Sequence, residues 1–138
     1  MSSDPAFTPD IRTLAFLLLG VGLLATAVFA GLWWQRRDDR ALGYWGAAHG
    51  LGAGGYLLIG LRDWIPDSLS IIAANVAVFI AAGFLLKGLR LQLDRAFPER
   101  AFWLFIASLT AAYTHFTFIQ PALAPRVVVA SAAAVILL

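Results

Sequence analysis

Charged side chains gather into a few short clusters in this chain and leave four stretches with none, 13–35, 41–61, 68–86 and 101–125. A helix needs about 20 consecutive apolar residues to cross the hydrocarbon core of a bilayer. The pattern therefore predicts full spans at about 13–35, 41–61, 68–86 and 101–120. Composition points the same way: 61% of the residues are hydrophobic, 13% are charged, and the mean hydropathy is +0.81. Soluble domains are only about half apolar. A fifth apolar run, 127–138, makes about 18 Å of helix against a core of about 30 Å. A chain ending there is expected to be a fragment of a longer protein, because a carboxylate in mid-bilayer is costly. The expected fold class is all-α integral membrane, a multi-span helix bundle of four full spans plus a truncated fifth, forming one module over residues 1–138.

Basic residues then set the expected orientation. Seven of the ten Lys and Arg residues fall in two places: Arg36, Arg37 and Arg40 after the first run, and Lys87, Arg90, Arg95 and Arg100 after the third. Arg12, Arg62 and Arg126 are spread over the remaining segments. By the positive-inside rule the two rich loops are cytoplasmic and the N-terminus is outside. The implied location is a bacterial inner membrane, crossed several times, with membrane lipids as the first partners. A cleaved signal peptide is the rival reading of the first run. Its leading region would hold Asp4 and Asp10 against a single arginine, and the apolar run is longer than a signal core. Trp33, Trp34, Tyr44, Trp45, Trp64 and Trp103 lie near the predicted span ends, where amphipathic rings favour the headgroup region.

The stretch Gly50-Leu51-Gly52-Ala53-Gly54-Gly55 spells the spacing G-x-G-x-x-G of a dinucleotide cradle. That cradle needs a strand before the glycines and a helix after them. Here the motif sits inside an uncharged run, so glycine is read as packing chemistry. Gly46, Gly50 and Gly54 follow the small-xxx-small pattern that lets membrane helices approach closely, turning about 40° per four residues. The groove they form is expected to take another helix of the same bundle or a second copy of the chain, giving a homodimer or a larger membrane complex.

His49 and Asn75 lie near the midpoints of the second and third runs, where an unpaired polar group is expensive. Trp45, Gly52 and Tyr56 share roughly the His49 side of a helix. Depths of about 12 Å and 16 Å make a His49–Asn75 hydrogen bond geometrically accessible. Its simplest role is to join two helices; ligand or proton sensing is the sharper reading. Thr110, Tyr113, Thr114 and Thr117 form a polar stripe on the fourth run, with Ser108 and His115 pointing elsewhere. Hydroxyls in such a stripe can bond to their own helix carbonyls, which weakens the case for a cavity.

Several function classes find no support. His49 and His115 differ in depth by about 9 Å, which disfavours paired axial ligation of haem. Cysteine is absent, and there is no carboxylate cluster, metal-ligand set or nucleophile–base spacing of an enzyme. No catalytic, metal or cofactor residue is therefore assigned, and no cofactor is expected. Without carboxylates inside the runs, ion-coupled transport is also disfavoured. A formal charge of +2 spread over several loops gives no reason to expect nucleic acid.

The order GYWGAAHGLGAGGYLLIGLRDWIPDSLSIIAANVAVFIAAGFLLKGLRLQL, followed by FTFIQPALAPRVVVASAAAVILL, resembles the N-terminal membrane region of bacterial GGDEF-type diguanylate cyclases. The matching parts are Trp45, the Arg62-Asp63 turn with Pro66, Ser70-Ile71, Ala74-Asn75, Gly88-Leu89-Arg90, and the passage Phe116-Thr117-Phe118 with Pro121, Arg126 and Ser131. Similar regions also precede histidine kinases. The resemblance implies a membrane-embedded sensory or anchoring module ahead of a cytoplasmic domain that condenses GTP into cyclic di-GMP. That output domain and its catalytic residues are absent from these 138 residues, so the chain itself is not expected to be an enzyme. The other reading is a small accessory subunit of a larger bioenergetic or photosynthetic membrane complex.

Overall fold

The structure, a computed structural model, describes residues 10–62, 64–66, 68–115, 118, 128, 131 and 132. Four α-helices follow one another: α1 (Ile11–Gln35), α2 (Arg40–Gly60), α3 (Ala74–Gln92) and α4 (Glu99–Thr114). A short π-helical segment, Ser68–Ala73, leads directly into α3. No strand occurs among the described residues. The all-helical expectation therefore holds.

Local chemistry explains where the helices start and stop. The Asp10 carboxylate accepts from Arg12 N at 3.4 Å and opens α1. Asp39 caps α2 more firmly, taking the amides of Ala41 and Leu42 at 3.0 and 3.4 Å, so two otherwise orphaned donors are satisfied. At the end of α3 the backbone closes as a Schellman motif. Asp94 takes the left-handed conformation at φ 51°, Arg95 N bonds to Arg90 O at 2.8 Å, and Asp94 N bonds to Leu91 O at 3.2 Å. An aspartate in the place usually given to glycine costs little, since Asp tolerates that region better than most residues. Pro98 then begins α4, its carbonyl accepting from Phe102 N at 3.0 Å.

The packing is antiparallel from each helix to the next. Gly22 faces Ala53 and Trp33 faces Gly43, which fixes α1 against α2. Gly52 faces Ala81 and Trp45 faces Gly88, which fixes α2 against α3. Phe79 meets Phe105 edge-on at 6.5 Å, which sets α4 against α3. The buried stripe of α4 is Phe102, Ile106, Leu109 and Tyr113, spaced for one helical face.

The expected count of four full spans plus a truncated fifth is corrected by these helices. Among the described residues two are long and apolar enough to cross a membrane, Ile11–Gln35 and Ser70–Gln92. Lacking charge is not the same as being apolar: α2 carries seven glycines, His49, two tyrosines and a tryptophan in 21 residues, which dilutes its leucines and isoleucines. Of the fourth run the described α4 holds 16 residues, about 24 Å of helix, and most of 116–125 lies outside the described residues. The fifth expected span, 127–138, lies outside the described residues except for Val128, Ser131 and Ala132. Only 11% of the apolar window of α1 is buried inside the fold, unlike the core helix of a water-soluble protein.

Candidate functional site

The α1–α2 seam is built from small residues. A Cβ added at Gly46 would meet Phe29 Cβ at 3.5 Å, and one at Gly50 would meet Thr26 Cγ2 at 3.5 Å. Gly54, the third member of the expected groove, is exposed, and a Cβ there would meet nothing within 4 Å. The reason is angular. Two steps of four residues turn a side chain about 80° away from Gly46, whereas seven residues bring Ala53 back to within about 20°. The seam is thus Gly46, Gly50 and Ala53, and Gly52 and Gly55 serve the opposite contact with α3. At Gly55 a Cβ would come within 3.0 Å of Ala74 O, so the two backbones nearly touch.

His49 and Asn75 take separate partners. The His49 ring stacks on Phe29 with centroids 5.3 Å apart and planes 3° from parallel. Phe29 in turn meets Trp45 edge-on at 5.7 Å, and Trp45 Nε1 donates to Leu85 O at 3.2 Å. Phe29, Trp45 and His49 therefore join three helices. Asn75 sits one residue from the Ala74–Gly55 contact, six residues or about 9 Å along α2 from His49. Its amide donates to Ile71 O at 2.6 Å, where π-helical geometry gives way to α, and its oxygen accepts a long bond from Tyr113 Oη at 3.5 Å. Tyr113 closes an apolar cluster with Ile71 and Leu109. Tyr56 is half-buried, with no hydrogen bond or ring contact among the described residues.

The hydroxyls of the fourth run are spent locally. Ser108, Thr110 and Thr114 donate to Leu104 O, Ile106 O and Thr110 O at 2.8–2.9 Å. Thr117 lies outside the described residues. The expected polar stripe is thus a helix surface, with Tyr113 alone turned into the core.

A feature absent from the sequence reading is the use of glycine as a socket for aromatic rings. Phe102 sits over Gly83 and Trp45 over Gly88, each so close that an added Cβ would collide with the ring. Phe16 and Trp33 cover Gly60 and Gly43 at a looser 3.1–3.3 Å. The available signal is the pair Gly83 and Gly88 on one largely apolar helix, but a socket becomes visible only once its ring is placed.

The two basic clusters meet at one end. Gln92 Nε2, at the end of α3, donates to both oxygens of Asp39 at 3.2–3.3 Å, so the turn after α1 and the turn after α3 are neighbours. Lys87 pairs with Glu99 at that end as well. At the other end the Arg12 guanidinium donates to Arg62 O at 3.4 Å.

An open groove of about 980 Å³ runs along the outer side of the α1–α2 seam, from Thr26 and Gly50 to Arg40. No group of three His, Asp or Glu side chains placed to hold a metal occurs among the described residues. No protein-family model, curated protein or solved structure matches the chain.

Proposed function

We propose that the chain is a membrane-embedded anchoring and sensing module of a bacterial signalling protein, of the kind that holds a nucleotide-condensing or kinase domain at the inner membrane. The observation that carries this reading is the meeting of both basic clusters at one end of two apolar helices that run in the same sense. Because α2 is antiparallel to both α1 and α3, it returns between them with Gly46, Gly55 and Gly60 buried. Seven basic residues then lie on the cytoplasmic side, and the N-terminus and the Arg62 turn lie outside. The resemblance to membrane regions of diguanylate cyclases supplies the output class, and the charge asymmetry supports an inner-membrane location with these turns facing inward.

Purification of the native protein from its own membrane in mild detergent tests the proposal. The expected result is a polypeptide carrying a cytoplasmic output domain, with altered cyclic di-GMP in cells that lack the gene. Recovery of the 138-residue chain in fixed stoichiometry with other membrane subunits, with cyclic di-GMP unchanged, would replace this reading with that of an accessory subunit.

A further inference from the structure

We infer that the groove beside the α1–α2 seam holds an acyl chain of an anionic phospholipid whose phosphate is gripped by Arg40. A volume of about 980 Å³ lies at the upper end of the range of ligand pockets, about 300–1,000 Å³. Along α2 it is lined by Gly43, Ala47 and Gly50, spaced four and three residues apart and carrying nothing larger than a methyl, with Leu51 and Phe84 adding apolar wall. Its α1 wall includes Thr26 and Ala30. The Thr26 hydroxyl spends its proton on Gly22 O at 2.7 Å, while its methyl and its oxygen both border Gly50. The deep end thus offers an occupant hydrocarbon and no free donor.

The other end has the opposite chemistry. Arg40 is the one charged residue lining the groove among the described residues, and no ion pair to it is found among them. Trp33 and Tyr44 line the same end, as amphipathic rings do at headgroup depth. Arg37 lies over the Trp33 and Trp34 rings at 4.9 and 4.2 Å, adding a second cation nearby. Of the opposing carboxylates in this turn, Asp39 is taken up by the amides of Ala41 and Leu42 and by Gln92. Asp38 remains exposed on the turn. An apolar trough with a cation at its mouth fits an amphiphile with an anionic head. The exposed α1 of a second copy fits less well, because residues 11–35 hold no carboxylate to meet Arg40.

This inference rests on membrane association and not on any signalling role. The test begins with the chain in membranes washed at high pH, where it must sediment; release into the supernatant would refute membrane association itself. The purified 138-residue chain is then incubated with equal phosphatidylglycerol and phosphatidylcholine and weighed by native mass spectrometry. One phosphatidylglycerol per chain is expected, preferred about fivefold, the contribution of one basic residue near an anionic surface. Arg40→Gln should bring the preference to about one. Ala47→Trp should fill the trough and abolish retention with an unchanged helical signal, and Leu104→Trp, on the exposed side of α4, should leave retention intact. Equal retention of both lipids by the wild type, an unchanged preference in Arg40→Gln, or a dimer that Ala47→Trp dissociates would overturn the assignment.

Discussion

Gly88→Leu is expected to open the α2–α3 contact and lower stability by about 3 kcal/mol, the upper part of the range for overpacking a tight site. The Trp45 ring occupies the space a side chain at Gly88 would need. Displacing it breaks the bond from Trp45 Nε1 to Leu85 O and releases Phe29 and His49, whose ring contacts continue from the same indole. Gly54→Leu is the matched control. That position meets nothing within 4 Å, so the change should be neutral or stabilising by up to about 1 kcal/mol through helix propensity. Unfolding midpoints in one detergent compare the two. The double variant Trp45→Ala/Gly88→Leu should be less damaged than the sum of its parts by about 1 kcal/mol or more, because the leucine enters the space the indole leaves. Equal midpoints for Gly88→Leu and Gly54→Leu would show that the socket does not hold the helices together.

Phe102→Ala is expected to undock α4 without unfolding the rest. The ring is 5% exposed, seated on Gly83 and flanked by Phe97 and Trp103 with centroids 5.3 and 5.2 Å away. Removing a buried phenylalanine costs about 3–5 kcal/mol. The Lys87–Glu99 ion pair will not hold the helix in place, since Glu99 is 51% exposed and such surface pairs contribute about 0–1 kcal/mol. Because α4 rests chiefly on α3 and the π-helical segment, the loss should stay local. Hydrogen exchange should show faster amides in α4 with those of α1 and α2 protected as before. Uniform loss of protection along the chain would mean that α4 is integral to one cooperative unit.

The residues that made these features legible, or hid them, differ in kind. Some helix boundaries are written in capping and breaking residues: Asp39 opens α2 and Pro98 marks the start of α4, whereas α3 runs on past Lys87 and Arg90 to Gln92. The span count could not be read this way, because the absence of charge along 41–61 conceals how many glycines and polar rings α2 carries. Spacing alone groups Gly54 with Gly46 and Gly50, and the drift of an α-helix over eight residues turns it outward. The partner of Asn75 depends on how far α3 slides along α4, and nothing in either helix taken singly states that register. Spacing places Tyr113 in a polar stripe; in the fold it is buried with Ile71 and Leu109, and its hydroxyl reaches Asn75.

The claim on which the functional reading depends is that the turns after α1 and α3 share one side of a membrane and the turn after α2 lies on the other. Because the chain has no cysteine, single introduced thiols report this directly. In oriented membrane vesicles, Asp38→Cys and Ala96→Cys should react with an impermeant maleimide from the cytoplasmic face only, and Trp64→Cys from the outer face only. Labelling of Asp38→Cys and Ala96→Cys from opposite faces, or of all three from both, would contradict the account.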